Sequence, residues 1–118
     1  ASALGSNQSW KLLQQLWLYK NQIGDEGAEG LAENTTWQNL QKLSLWGNTI
    51  GDKGVSKLVR CHTWAMLDSL SLYQNKIGDT GAKILAEKNP WKLLRTLFLG
   101  ENQITEVGAN ALRNRFKA

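Results

Sequence analysis

The chain has 118 residues, 42% of them hydrophobic, with a single proline and a net charge of +4. That composition excludes a disordered segment. No apolar run is long enough to span a membrane, and no secretory signal is read at Ala1. Cys61 is the only cysteine, so no internal disulfide forms, and a reducing, cytoplasmic setting is expected.

Trp10, Trp37, Trp64 and Trp91 follow one another at intervals of 27 residues with no insertion. A strict period of this length marks stacked supersecondary units, so one solenoid is expected over 1–118. Residues 1–9 form a partial repeat, and 10–36, 37–63, 64–90 and 91–117 are full repeats. Each repeat begins with its Trp, which is read as structural: a large apolar plate closing the core where the chain returns from helix to strand, its indole N–H bonded to a carbonyl. Leu16-Trp17-Leu18 then alternates with period two and is too short for anything but one strand, so the leucines face the core and Trp17 faces away.

Asn21, Asn48, Asn75 and Asn102 follow the strands. The chain turns there, and an amide side chain supplies both a donor and an acceptor to backbone groups the turn leaves unpaired. Asp25–Glu33 reads as a short helix with Ala28 and Leu31 on its inward face. Asp25, Asp52 and Asp79 are placed as N-cap carboxylates of their own helices. The invariant Gly27, Gly54, Gly81 and Gly108 are expected to bring each helix close to the sheet, at about 1 kcal/mol of helix propensity relative to Ala. Strand then helix, repeated, gives a parallel sheet through right-handed crossovers. Strands stack at about 4.8 Å and helices at about 10 Å, so the array bends with the sheet inside.

The repeated pattern Leu-x-x-Leu-x-Leu-x-x-Asn-x-Ile resembles the leucine-rich repeat family over essentially the whole chain. The continuation Ile-Gly-Asp-x-Gly-Ala-x-x-Leu-Ala is similar to the ribonuclease-inhibitor-like subtype, which also occurs in innate immune receptors and in repeat proteins of intracellular bacteria. The resemblance implies an α/β solenoid with a curved parallel sheet on the concave face and helices on the convex face.

Function is sought where the repeats vary. The outward strand positions hold Trp17, Tyr19, Trp46, Tyr73 and Phe98, half of the chain's ten aromatic residues. Core packing does not explain them, because the other face already carries the leucines. Tyr19, Trp46 and Tyr73 share one repeat position, so they are expected to stand side by side about 4.8 Å apart. Such a row either anchors a partner or stabilises the sheet through cross-strand pairs. Lys42 is the one charge among these positions, which argues against a phosphate backbone and for a protein or peptide ligand; a stacked sugar is a third option. The partner-binding set is therefore Trp17, Tyr19, Lys42, Trp46, Tyr73 and Phe98.

Catalytic chemistry has little support. Cys61-His62 is one adjacent pair, whereas a zinc site needs three or four ligands. No phosphate loop is present, and no cofactor, metal site or enzymatic activity is expected. Net charge runs from −2 in the first repeat (Lys11 and Lys20 against Asp25, Glu26, Glu29 and Glu33) to +3 in the last. This gradient is too small to suggest nucleic acid. It does suit head-to-tail contact between uncapped repeat ends, with Phe116 as a mild cap over the last layer. Two further readings stand beside the binding module. One is a structural or engineered module that self-assembles into a homo-oligomer. The other is a targeting domain excised from a larger immune-receptor-like or bacterial effector protein.

Overall fold

The computed structural model describes residues 14–18, 22–33, 35 and 37–115. Four strand–helix units follow one another: β1 (Gln15–Trp17) and α1 (Asp25–Ala32), β2 (Lys42–Ser44) and α2 (Asp52–Leu58), β3 (Ser69–Ser71) and α3 (Asp79–Lys88), β4 (Thr96–Phe98) and α4 (Glu106–Arg115). The strands form one parallel sheet in chain order. Leu16 pairs with Leu43, Leu43 with Leu70 and Leu70 with Leu97, so the register advances by one repeat per strand. The helices pack in the same order, α1 on α2, α2 on α3 and α3 on α4. A second backbone ladder runs where the chain leaves the sheet: Thr49 N–H donates to Ile23 O, Lys76 N–H to Ile50 O and Gln103 N–H to Ile77 O.

The core lies between sheet and helices. Leu43, Leu45, Leu70, Leu72, Ile50, Ile77, Leu58 and Leu85 are buried, together with Ala28 and Leu31 of α1. Trp37, Trp64 and Trp91 are among the largest fully buried side chains. Trp64 and Trp91 stack with ring centroids 5.9 Å apart and planes 27° from parallel. Trp91 Nε1 donates to Cys61 O at 2.9 Å, from the start of the fourth repeat to the end of the second. Trp64 Nε1 is buried with no acceptor among the described residues; the residue that corresponds to Cys61 one repeat earlier is Asn34, which lies outside them. So do Trp10, Tyr19, Asn21, Phe116 and residues 1–9.

The asparagines tie consecutive turns together. Asn75 Nδ2 donates to Leu72 O of its own strand exit and to Leu45 O of the preceding repeat, both at 3.0 Å. Its Oδ1 accepts Ile50 N–H, also of the preceding repeat, at 2.9 Å. Asn48 and Asn102 repeat the pattern, reaching back to Leu18 O and Ile23 N–H and to Leu72 O and Ile77 N–H. One amide per repeat therefore closes its own turn and fastens it to its neighbour.

Two sequence expectations need correction. The helix aspartates do not cap their own helices. The N-cap residues of α1, α2 and α3 are Gly24, Gly51 and Gly78, which make no side-chain cap bond. Asp25, the first residue of α1, instead accepts the N–H of Gly51, the N-cap of α2, at 2.8 Å and that of Gly54, in the first turn of α2, at 2.9 Å. Asp52 does the same for Gly78 and Gly81 of the third repeat, and Asp79 for Thr105 and Gly108 of the fourth. Each carboxylate thus sits beside two helix N-termini, where backbone N–H groups and the helix dipole favour negative charge.

The second correction concerns the glycine column. The close approach at Gly54 is made by the neighbouring aspartate and the exit isoleucine, not by the sheet. A Cβ on Gly54 would stand 2.5 Å from Asp25 Oδ1 and 2.7 Å from Ile50 Cγ2. At Gly81 the same two positions are taken by Asp52 Oδ1 and Ile77 Cγ2. Gly and Asp are therefore one feature shared across each repeat boundary.

Candidate concave binding surface

The side chains of β1–β4 that do not enter the core form the concave face, and four of its aromatic residues lie among the described positions. Trp17 is 62% exposed, Phe98 54% and Tyr73 37%, while Trp46 is half-buried. Exposure of this size in large apolar side chains is not needed to complete the core beneath them.

These residues enclose a hollow of about 390 Å³. Trp17 on β1 and Phe98 on β4 stand at its two ends, with the small side chains Ser44 and Ser71 between them as a floor. Three strand spacings separate the two walls, about 14 Å. Trp46 and Tyr73 close the side toward the strand exits, and Lys42 and Ser69 lie on the side toward the strand entries.

Trp46 and Tyr73 are adjacent in the row expected from sequence, but as an edge-to-face pair rather than parallel plates. Their centroids are 6.1 Å apart and their planes 60° from parallel. Trp46 Nε1 donates to Gln74 Oε1 at 3.2 Å. The Tyr73 ring lies over Gly100, the residue at the same position of the next repeat; a Cβ there would come within 2.8 Å of Tyr73 Cε1. The row therefore leans toward the fourth repeat, which has no side chain to obstruct it. Gln74 holds its place with φ of +57°, in the left-handed region that favours glycine, and the equivalent position one repeat earlier is Gly47 at +75°. Sequence reading did not single out Gln74; a bulky residue at the position Gly47 occupies in the preceding repeat was the available signal.

Elsewhere the chemistry is quiet. Burial pushes the Cys61 thiol up to about 11, against smaller opposing hydrogen bonds from Thr63 and Trp64. The thiol stays protonated at neutral pH and is a poor nucleophile. His62 beside it is exposed. Among the described residues no group of three or more His, Cys, Asp or Glu side chains is placed to hold a metal ion, and no helix is long and apolar enough to cross a membrane.

A parallel sheet with helices on one side, advancing one strand and one helix per repeat, defines an α/β solenoid. The Leucine Rich repeat family pattern matches residues 12–32, 38–59 and 65–86, and the chain belongs to the leucine-rich repeat family. Among solved structures, the crystal structure of an internalin (inlF) from Listeria monocytogenes is similar, with a TM-score of 0.51 and 22% sequence identity over 95% of this chain. The chain spans 35% of the length of that internalin, so the likeness is one of fold over a segment of it. No curated protein matches the chain significantly.

Proposed function

We propose that the chain is a non-enzymatic interaction module of the ribonuclease-inhibitor-like subtype that takes a protein or peptide on its concave face. The observation that carries this reading is the hollow between Trp17 and Phe98, closed on one side by Trp46 and Tyr73. Large aromatic side chains with few rotamers, grouped around a recess, are the usual energetic centre of a protein interface. The 27-residue period and the Gly-Asp-x-Gly segment support the subtype. Tyr19 joins the set by its repeat position, and the lone cysteine favours a reducing, cytoplasmic setting. The reading is tested with a selected partner. Trp46→Ala should cost about 2 kcal/mol of affinity, roughly thirtyfold, with unchanged unfolding. Affinity untouched by both Trp46→Ala and Tyr73→Ala would remove the concave face from the binding site.

A second reading, self-association, has one observation in its favour. Leu97, Leu99, Ile104 and Leu112 are only half-buried, whereas Leu43, Leu45, Ile50 and Leu58 at the same positions of the second repeat are 0–2% exposed. Leu97, Leu99 and Leu112 border, with Ala109, a hollow flanked by Arg95 and Arg113. A copy stacked on this layer would cover it and would pair with the open edge of β4. Light scattering at tens of micromolar tests this: a discrete oligomer supports it, and a strict monomer defeats it.

A further inference from the structure

We infer that the concave hollow takes a peptide segment that seats one large apolar side chain between Trp17 and Phe98 and sets a carboxylate against Lys42. This rests on the concave-face reading and specifies its ligand. Three features of the hollow carry it.

The first is shape. Along the row Trp17, Ser44, Ser71, Phe98 the side chains run large, small, small, large in register across four strands. A recess with aromatic ends and a low floor accepts a side chain inserted from above, whereas an evenly aromatic row would offer only a flat surface. The floor is small because its residues are serines, and their hydroxyls can donate to or accept from the backbone of an inserted segment.

The second is charge. Among the described residues Lys42 is the one charged residue bordering the hollow, and no carboxylate of theirs borders it. Among the described residues Lys42 makes no ion pair. It is exposed on the side left open by the aromatic walls. An apolar recess with a single unpaired cation at its open side is complementary to an apolar side chain followed by an anion.

The third is the rim beyond Lys42. Just before the strand entries, Lys92 and Arg95 lie with Asp68 around a shallow depression that also exposes Met66 and Leu93. Arg95 reaches Asp68 only at 4.0 Å and stays largely in solvent. The approach to the open side of the hollow is therefore net positive, which selects an acidic segment over a basic one.

The carboxylate has two sources in a polypeptide, an Asp or Glu side chain and a chain terminus. Blocked peptides acetyl-Ser-Gly-Phe-Asp-Gly-Ser-amide and its Asp→Asn and Asp→Lys analogues test the first. Acetyl-Ser-Gly-Phe with a free terminal carboxylate tests the second. Affinities are measured at low salt by the fluorescence of the intact protein. The Asp peptide should bind about fivefold more tightly than the Asn peptide, a margin lost in Lys42→Gln, kept in the convex-face variant Lys88→Gln and eroded by added salt. Tighter binding of the free-acid peptide, also lost in Lys42→Gln, upholds the inference with a chain terminus as the source. Equal Asp and Asn affinities, both weakened by Phe98→Ser, would overturn the carboxylate and leave the concave surface standing. Affinities indifferent to both Lys42→Gln and Phe98→Ser would overturn both. Absence of binding by every probe up to about 10 mM would overturn the inference.

Discussion

The carboxylate of Asp25 accepts the backbone N–H of Gly54, 29 residues further along the chain, at 2.9 Å. It does for the next helix what an N-cap side chain does for its own, because Gly51, the N-cap of α2, has no side chain to offer. Helix capping thus becomes an interaction between repeats, and stability in the array is coupled from one unit to the next.

This coupling is measurable at the second boundary. Asp52→Ala should destabilise the protein by about 1 kcal/mol, the usual cost of a lost cap. Gly81→Ala should cost about 1–3 kcal/mol by overpacking, since the added Cβ meets Asp52 Oδ1 at 2.5 Å. The double variant should cost less than the sum of the two, because removing the carboxylate relieves part of the clash. Denaturant unfolding of the four proteins gives the coupling; strict additivity would mean that the two residues do not share one site.

Asp79 sets an acid limit on the last boundary. The Thr105 hydroxyl, then the backbone N–H groups of Thr105 and Gly108 and the nearby Lys83, hold its carboxyl below the ordinary value of 3.8. A depressed carboxyl contributes stability that is complete above its unfolded value and disappears as pH falls through the lower folded value. Melting temperatures followed from neutral pH downward should fall more steeply below 3.8 in the wild type than in Asp79→Asn. Thr105→Val should narrow the difference. Identical acid profiles for wild type and Asp79→Asn would contradict this.

Trp64 is buried and stacks on Trp91, so Trp64→Ala should open a cavity costing about 3–5 kcal/mol. In an array this short the loss should abolish cooperative thermal unfolding. Wild-type-like melting would mean the stack collapses around the gap, and circular dichroism distinguishes the two outcomes.

Most of the fold was legible in the sequence. The Trp, Leu, Asn and Ile columns recur because each repeat solves the same packing problem, and the burial of Leu43, Leu70, Ile50, Ile77, Trp37 and Trp64 follows from residue type and period. The direction of the aspartate bond was not legible: capping its own helix and capping the next both call for Asp at the same position, and only the stacking distance decides. The glycine column was hidden for the same reason, since its close neighbour is a side chain 29 residues earlier. At the candidate site, the Trp46–Tyr73 pairing was readable from repeat position. The hollow was not, because it depends on the order of sizes from Trp17 through Ser44 and Ser71 to Phe98 across the sheet. The signal for it is the Trp, Ser, Ser, Phe order at positions 17, 44, 71 and 98, one repeat apart.

The most direct test of concave-face binding uses the tryptophans as internal reporters. Trp17 and Trp46 border the hollow, while Trp37, Trp64 and Trp91 are buried behind the sheet. Indole N–H resonances, assigned by single Trp→Phe variants, are followed while a selected partner is titrated into the intact protein. The account predicts that the Trp17 and Trp46 signals shift or broaden in proportion to occupancy while those of Trp37, Trp64 and Trp91 stay in place. Saturating binding that leaves Trp17 and Trp46 unmoved would contradict it.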